Sequence, residues 1–417
     1  MRLQLTTGGL SVLLVAALVG GLTPTPAPVS AASGIRPRQT GPVLVPGVSR
    51  TAIKVGLHAP LTGASPVPSD SVEKGKDLFF RWLKSKGVEI RGRGIEVILR
   101  NDQFNPSTAV AACKEMVEKE HVFMLFGFQG PDQMQACARY AASRNIPYVS
   151  PGSTTIALDQ LPNFFATSKT YAGEGRLLTD FFIEQLRARR RDNGVLYYDS
   201  PNWRPGRDAF TRAMHRRNAD IAYNRAVTRT AGTAEARTVV EEMKLAGIDN
   251  VFIATTPVWF IQVLKEANNQ DFFPQWTGTS VTSANDMVVE ISCSGGDSID
   301  GAKFLAPYPA FGDSDRFDDR FRKAVAKFYP DTAPDDFMWQ LWALERVIAK
   351  MLDRAGRELT RDRFINRVER ADRISTGVSP TLHYEPDDHF GARDAHLLRA
   401  SCTDNRWHTA RSFVSDF

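Results

Sequence analysis

From residue 51 onward, short apolar runs alternate with longer segments in which apolar residues recur every three or four positions. The short runs fit buried parallel strands, and the longer segments fit helices that cover a sheet. A first series of this kind spans residues 53–150, and a second begins after Tyr171. The pattern predicts an α/β fold with two doubly wound parallel-sheet lobes.

Several helix boundaries are marked by local chemistry. Asn105-Pro106 and Thr256-Pro257 each place a capping residue before a proline, which is the usual start of a helix. Another helix is predicted to start near Asp70, with Asp70 as its cap, and to end near Gly87. Further helical segments, 316–328 and 334–354, follow the second series and indicate a chain that crosses between the lobes more than once.

Three strands of the first series run directly into loops of small and hydroxyl residues. They read KVGLHAPLTG (54–63), VFMLFGFQG (122–130) and IPYVSPGSTT (146–155). Ligands of open α/β sheets bind beyond the carboxyl ends of the strands. Backbone N–H groups and hydroxyls beside helix N-termini suit a small polar or anionic group. The loops therefore predict a binding pocket more than a reaction centre.

Composition and charge limit the classes of function that the chain could have. The length of 417 residues predicts two or three domains. The formal net charge of +5 is small for this length, and no basic stripe interleaved with aromatic residues accompanies it, so we expect no nucleic-acid partner. Nucleophile-elbow, phosphate-loop and dinucleotide-binding motifs are not found, which argues against an enzyme.

The N-terminus is typical of export. Arg2 precedes an apolar stretch over residues 10–22, and Val29-Ser30-Ala31-Ala32 offers a cleavage site of small residues. We expect a signal peptide over 1–31 and a flexible leader over 32–50, which makes the mature chain extracytoplasmic. The alternative is a membrane anchor, but the apolar stretch is shorter than the ~20 residues that span a bilayer.

The four cysteines favour disulfide bonds, because their number is even and the chain is predicted to be exported. Nearest-neighbour pairing gives Cys113–Cys137 and Cys293–Cys402, and buried free thiols are the alternative. The tail contains a group of acidic residues and histidines, namely Asp387, Asp388, His389, Asp394 and His396. Its spacing matches no known metal site, so we expect neither a metal nor a cofactor.

The chain resembles the type I periplasmic binding proteins, specifically the branched-chain amino-acid (Leu/Ile/Val-type) receptors of ABC importers. The resemblance is carried by IKVGLHAPLTG, RNDQFNPSTAVAACKEMVEKEHVFMLFGFQG, NIPYVSPGSTTIALD, GVLYYDSPNWRPGRDAF and NVFIATTPVWFIQVLKEAN. It implies two lobes joined by three crossovers that close on a solute. Mapped here, one lobe comprises 51–169 plus 308–378, and the other comprises 170–307 plus 379–417.

The resemblance also bears on the disulfides. Each predicted cysteine pair falls within one lobe, so neither pair would block hinge motion. The family's archetype has a cysteine pair at the positions of Phe104 and Gly130, and that pair is missing here. Cys113–Cys137 is a candidate replacement.

Two loops of the first lobe are implied to hold the solute. In the family, a Ser-Pro-small-x-Thr loop binds a carboxylate through a backbone N–H and the threonine hydroxyl. Gly152 and Thr154 match those positions, with Ser153 between them, although these hydroxyls could instead cap a helix. In the other loop the family's serine falls near Gly130, so Gln129 and Phe128 would provide the contacts, unless the loop is only a tight turn.

The second lobe is implied to cover the solute. Trp203 matches the family's covering aromatic residue, with a core tryptophan as the alternative. Tyr171 lies near the first crossover and could belong to the pocket or the hinge. Thr256 could face the cleft or only cap its helix. His58 could line the cleft, but a histidine with satisfied hydrogen bonds is the simpler interpretation.

One departure from the family predicts the class of solute. The carboxylate that binds an α-ammonium group should fall near Thr279–Val281, where this chain has Ser280. A buried ammonium without a counter-charge is costly, so a standard amino acid is disfavoured unless another acid, such as Asp199, reaches the site. A carboxylate- or amide-bearing solute with an apolar or aromatic body fits better.

The resulting functional prediction is a monomeric receptor that captures a small solute and delivers it to an ABC permease, the permease being implied by the resemblance. Two alternatives remain at this stage. The same fold could deliver its ligand to a signalling partner, or the chain could be a hydrolytic enzyme.

Overall fold

The computed structural model describes residues 45–152, 158–188, 192–228, 230–282, 284–313 and 315–417. The predicted signal peptide and the leader up to residue 44 lie outside these ranges, as do Ser153 and Thr154. Within the described ranges, no helix has both the length and the apolar character that crossing a membrane requires.

The first sheet has five parallel strands in the order β2–β1–β3–β4–β5. The strands are β1 (Ala52–Ala59), β2 (Gly94–Asn101), β3 (Met124–Gly127), β4 (Tyr148–Ser150) and β5 (Phe164–Ala166). The helices between them are α1 (Ser69–Gly75), α2 (Leu78–Ser85), α3 (Pro106–Glu118) and α4 (Pro131–Ser143). This sheet and its covering helices are called the first lobe.

The second sheet has seven strands in the order β12–β11–β10–β9–β8–β6–β7. Its strands are β6 (Asn193–Tyr198), β7 (Tyr223–Val227), β8 (Asn250–Ala254), β9 (Gln275–Gly278), β10 (Lys303–Ala306), β11 (Ala395–Ser401) and β12 (Arg406–Val414). The first five are parallel, whereas β11 and β12 form an antiparallel hairpin at the edge.

The helices of this second lobe are α5 (Tyr171–Glu184), α6 (Arg204–Arg216), α7 (Thr233–Leu245), α8 (Pro257–Asn269) and α9 (Asp286–Cys293), with a 3₁₀ turn at Ser280–Thr282. The chain then returns to the first lobe with α10 (Asp315–Phe328), α11 (Asp336–Ala355) and α12 (Arg361–Glu369). Trp339 and Trp342 of α11 are fully buried in the core beside β1 and β3.

The described chain thus passes between the sheets three times: after β5, after β10 and before β11. The segments next to the first and third crossings are joined at the edge of the first sheet, because Ala166, the last residue of β5, donates to the carbonyl of His389 at 2.9 Å and accepts from Gly391 at 3.2 Å. The predicted fold of two parallel-sheet lobes with three crossovers is confirmed.

The division of residues between the lobes stays a prediction, and local contacts refine it. Leu382, Tyr384 and Ala392 are buried in the core beside the first sheet, which favours a third crossing near residue 393 rather than 379. At the other end, Val48 forms a β-bridge with Ile53. The last residues of the predicted leader, 45–50, therefore belong to the folded first lobe.

The local sequence signals predicted two helix starts correctly and one incorrectly. Asn105 caps α3 by accepting from Ser107 and Thr108, and Thr256 caps α8 by accepting from Trp259, as expected. The single helix predicted from Asp70 to Gly87 is wrong, because the chain forms α1 and α2, and Asp70 lies inside α1 rather than capping it. The break is stabilised by Glu345 of α11, whose carboxylate accepts from the Phe79 backbone N–H at 2.7 Å.

Both predicted disulfides are present. Cys113 of α3 is bonded to Cys137 of α4, and Cys293 at the end of α9 is bonded to Cys402 in the β11–β12 turn. Each bond closes within one lobe, so neither restrains the lobes relative to each other.

Candidate functional site

A cavity of about 70 Å³ lies between the two lobes, at the carboxyl ends of β3, β4 and β10. Its walls are mainly apolar, with Phe128 and Met134 on the first lobe and Trp407 on the second. The volume is less than half of the roughly 150 Å³ in which an apolar cavity holds benzene. A solute of amino-acid size therefore requires the lobes or their side chains to move apart.

The structure brings together most of the site residues predicted from the sequence. Six of them line this cavity, namely Phe128, Gln129, Gly130, Gly152, Tyr171 and Ser280. Ser153 and Thr154 lie outside the described residues, so their role stays a prediction.

Trp203 and Thr256 do not line the cavity in this conformation, although they lie beside a smaller neighbouring one that Gln129 and Gly130 also line. Trp203 is buried and packs edge-on against Tyr198, with ring centroids 5.4 Å apart. Thr256 caps α8. Their contribution to solute binding stays a prediction.

The start of α4 forms one wall of the cavity. Gly130 is its N-cap residue and adopts a left-handed backbone with φ +79°, where residues other than glycine are strained. Gly130 has no side chain that could cap this helix, and Gly130 and Pro131 both line the cavity, so the positive end of the helix dipole lies beside it.

Gln133, one turn into α4, was missed by the sequence analysis. A Cβ atom placed on Gly130 would lie 2.9 Å from its Cδ, so the carboxamide packs directly against the cavity loop. The side chain is fully buried, and neither of its polar atoms has a hydrogen-bond partner among the described residues. Such burial costs about 1–3 kcal/mol per polar group. Gln133 does not itself line the cavity, and its amide lies behind the Gly130 loop that does.

Gly152, in the loop after β4, forms a second part of the first-lobe wall of the cavity, next to the part formed by the start of α4. A Cβ atom there would lie 3.2 Å from Met134 Cε and 3.6 Å from Tyr171 Oη, so any larger side chain would press into the cavity. Burial raises the pKa of Tyr171 well above its usual value, with the negative charges of Glu174 and Asp132 adding to the effect. Its phenol is therefore neutral and keeps its proton.

The carboxyl group of Glu174 contacts Ser280, at a position where the sequence analysis predicted no acid. The Ser280 backbone N–H donates to Glu174 Oε2 at 2.9 Å, and Glu174 is buried in the first turn of α5. Burial raises the pKa of Glu174 to about 7, although its hydrogen bonds to Ser280 and the charge of Lys169 oppose this. Asp199, the acid suggested from sequence, instead pairs with Arg204 at the surface.

Two further acids line the cavity, and the sequence analysis missed both. Asp286 begins α9 of the second lobe, and Asp336 begins α11 of the first lobe. The Asp286 backbone N–H donates to Asp336 Oδ2 at 3.1 Å, so the residues meet across the interface of the lobes. Burial raises the pKa of Asp336 well above its usual value, and the charges of Asp286 and Asp335 raise it further.

Hydrogen bonds hold the lobes together at two sides of the cavity. Asn202 of the second lobe donates to Asp132 Oδ1 at 2.6 Å and to Gln135 Oε1 at 2.7 Å, both in the first lobe. On the other side, Gln340 of α11 donates to Asn285 Oδ1 at 2.9 Å. These contacts describe a closed arrangement of the two lobes.

His58 lies beneath the site rather than in it. Its Nδ1 is 2.7 Å from Asp102 Oδ2, and its Nε2 is 2.7 Å from Tyr148 Oη, with all three side chains fully buried. The interpretation as a satisfied histidine is confirmed. The network joins the end of β1 and the start of β4 to the loop after β2.

The possibility of a metal site receives no support from the described residues. The ligand atoms of His58, Cys113 and Cys137 lie within 4.8 Å of one another, but the two sulfur atoms are bonded to each other. In the tail, His389 contacts Glu369, His396 contacts the Val378 carbonyl, and Asp388 pairs with Arg393, so this group is dispersed among separate partners.

The architecture is that of a two-lobed solute-binding protein, with a cavity between the lobes. The model of the family described as "Periplasmic binding protein" matches residues 52–405, and the chain belongs to this family. The resemblance inferred from the sequence is therefore confirmed. No curated protein sequence matches the chain significantly.

Solved structures show the same fold at low sequence identity. A fatty acid ABC transporter substrate-binding protein from Thermomonospora curvata is 16% identical, with a TM-score of 0.77 over 89% of this chain and 94% of that chain. An R. palustris solute-binding protein in complex with benzoate is 17% identical, with a TM-score of 0.71 over 88% and 98%. A Streptococcus pneumoniae branched-chain amino acid transporter protein in complex with isoleucine is 14% identical, with a TM-score of 0.70 over 86% and 99%.

Proposed function

We propose that the protein is an extracytoplasmic receptor of an ABC importer, which captures a small carboxylate- or amide-bearing solute between its two lobes. The observation that carries this proposal is the cavity enclosed by both lobes, with direct hydrogen bonds closing them around it. A solute that contacts both lobes favours the closed state by its difference in affinity for the closed and open states.

The chemistry of the cavity supports a solute with one polar end and an apolar body. The start of α4, where Gly130 provides no side-chain cap, suits a carboxylate or an amide. The unpaired amide of Gln133 lies directly behind this loop. Phe128, Met134 and Trp339 provide apolar walls. The solutes named for the structural neighbours, namely fatty acid, benzoate and isoleucine, are all carboxylic acids, which agrees with this choice.

The presence of an α-ammonium group on the solute is a separate question. The sequence argued against one, since Ser280 replaces the family's acid, but Glu174, Asp286 and Asp336 place carboxyl groups close to the cavity. Leucine and its des-amino analogue 4-methylpentanoate therefore form the decisive pair. Equal affinity for the two compounds would show that the site makes no favourable contact with the ammonium group. A strong preference for leucine would show that it does.

The proposed partner is a membrane permease, to which the closed, monomeric receptor delivers its solute chemically unchanged. Family membership and the fold support this role. Recovery of a transformed solute after incubation with the protein would instead favour the hydrolytic alternative.

Thermal denaturation against a panel tests the proposal. The panel contains leucine, isoleucine, benzoate, 4-hydroxybenzoate, fatty acids of several lengths and their amides. A solute at a hundred times its Kd should stabilise the protein by about 2.7 kcal/mol. The same solute should not raise the melting temperature of Gly152→Val, because the added side chain presses into the cavity. It should raise the melting temperature of Gly232→Val, because position 232 is at the surface with open space around it. No shift with any member of the panel would overturn the proposed solute class.

A further inference from the structure

The Asp286–Asp336 pair lies where the lobes meet and where two cavities adjoin. Both residues line the enclosed cavity, and both also line an outer cleft of about 500 Å³. The two acids therefore lie between the small cavity and a larger, more open space. Because one belongs to α9 and the other to α11, separation of the lobes also separates the two acids.

No ion pair with a basic side chain neutralises the carboxylates of Asp286 and Asp336 among the described residues. Among the described residues, no lysine, arginine or histidine nitrogen lies within 4.0 Å of either carboxylate, whereas such ion pairs occur elsewhere in the chain. The hydrogen-bond donors are neutral: the Trp407 N–H to Asp286 at 2.8 Å, and the Gln340 amide to Asp336 at 3.4 Å.

Titratable groups reach the pair from every neighbouring element. They are Arg406 and His408 of β12, Asp313 before α10, Arg322 of α10, Glu290 of α9 and Asp335 before α11. Arg406 and His408 both act on Asp286, but each also contacts Asp404 and Asp313, with Arg406 at 2.8 Å and 3.4 Å from these two acids. Asp335 accepts from Ser71 and from the start of α11. The local balance of charge remains negative in the closed state.

We propose that closure of the lobes takes up one proton at the Asp286–Asp336 pair, so that the closed state gains population as the pH falls. Asp336 accepts from the Asp286 backbone N–H, so its carboxylate lies close to the negative charge of Asp286 in a poorly solvated interface. Two ionised carboxylates repel each other there, and protonation of one of them removes this repulsion. When the lobes open, each carboxylate is hydrated separately and releases the proton.

Burial supports the direction of this linkage. It raises the pKa of Asp286 to about 6 and that of Asp336 well above its usual value in the closed arrangement. A carboxyl group whose pKa is higher in the closed state favours closure at low pH, and this advantage disappears as the pH rises through the closed-state pKa. The response should therefore appear between about pH 5 and 8 and amount to at most tenfold per pH unit in the closing equilibrium.

The test measures closure without any solute. Spin labels at Lys84→Cys on α2 and Glu241→Cys on α7, both exposed, report the distance between the lobes. In the otherwise native protein, the fraction at the short distance should fall as the pH rises from 5 to 8. Asp336→Asn and Asp286→Asn, which remove one charge while keeping the side chain's shape, should each remain closed across this range.

The matched control is Asp353→Asn, since Asp353 pairs with Arg91 on the outside of the first lobe and should leave the pH response unchanged. A distance that does not depend on pH, or an opposite dependence, would overturn the proposal. An unaltered response in both Asp336→Asn and Asp286→Asn would overturn it as well. Because the measurement contains no solute, its failure would leave the proposed transport function standing.

Discussion

Asn202 of the second lobe donates a hydrogen bond of 2.6 Å to the carboxylate of Asp132, which lies in the first turn of α4 in the first lobe. The same amide contacts Gln135 one turn further along α4. Asn202 is fully buried and immediately precedes Trp203, the aromatic residue expected to cover the solute. The two lobes thus contact each other beside the cavity-lining loop that precedes α4.

Asn202→Ala should weaken solute binding more than it weakens the fold. A hydrogen bond to a charged group contributes about 1.5–3 kcal/mol, so we expect a loss of affinity of tenfold or more, measured by calorimetry with the solute that gives the largest thermal shift. The control is Asn269→Ala, an exposed asparagine of the same lobe. Unchanged affinity in Asn202→Ala would show that this contact does not stabilise the closed state.

Gln133→Met should raise the stability of the solute-free protein and weaken solute binding indirectly, through the cavity-lining Gly130 loop against which the side chain packs. Methionine fills a similar volume but leaves no polar atoms unpaired, so the free energy of unfolding should rise by about 1–3 kcal/mol. Chemical denaturation measures the first effect and calorimetry the second. Gln185→Met, at an exposed position after α5, should change neither. A destabilised Gln133→Met protein would mean that the amide already has a partner.

Glu174 should make the stability of the protein depend on pH. Its pKa is about 7 in the folded protein, above the usual value of 4.5. A carboxyl group with a raised folded-state pKa stabilises fully below its unfolded pKa, and this stabilisation is lost as the pH rises through the folded pKa. Between pH 4.5 and 7, the native protein should therefore lose about 3 kcal/mol relative to Glu174→Gln. Parallel stability profiles for the two proteins would contradict this assignment.

The two disulfides should contribute unequally to stability. Cys113–Cys137 closes a separation of 24 residues and Cys293–Cys402 one of 109 residues. Loop-entropy arguments predict about 3–3.5 kcal/mol for the first bond and about 4.7 kcal/mol for the second. Thermal denaturation of the two paired Cys→Ser variants should show a larger loss for the second. Solute affinity should change little in either variant, because neither bond joins the lobes.

The sequence predicted those features that depend on local chemistry. Asn105 and Thr256 mark helix starts because the cap and the proline act within one turn. The loops that contain Phe128, Gly130 and Gly152 were found because parallel strands deliver their following loops to one edge of the sheet, and the resemblance to the family then singled out these residues. The break between α1 and α2 could not be predicted locally, since it involves Glu345, which is 266 residues from Phe79 along the chain.

The acids of the site escaped prediction for a related reason. Asp336 begins a long amphipathic helix, and its position fits an ordinary helix start as well as a cavity wall. Only the second crossing of the chain brings that helix start against Asp286 of the other lobe. Glu174 likewise fits the first turn of α5, and its contact with Ser280 spans 106 positions of sequence.

The pairing of the first and third crossings limits how the protein can open. Ala166 exchanges main-chain hydrogen bonds with His389 and Gly391, and the Lys169 ammonium group donates to the Arg393 carbonyl nearby. Two of the three connectors therefore leave the first lobe side by side, tied by these bonds. Sliding one connector past the other would break the bonds, whereas bending both together would keep them. The two halves are therefore expected to rotate about a common axis rather than shear past each other.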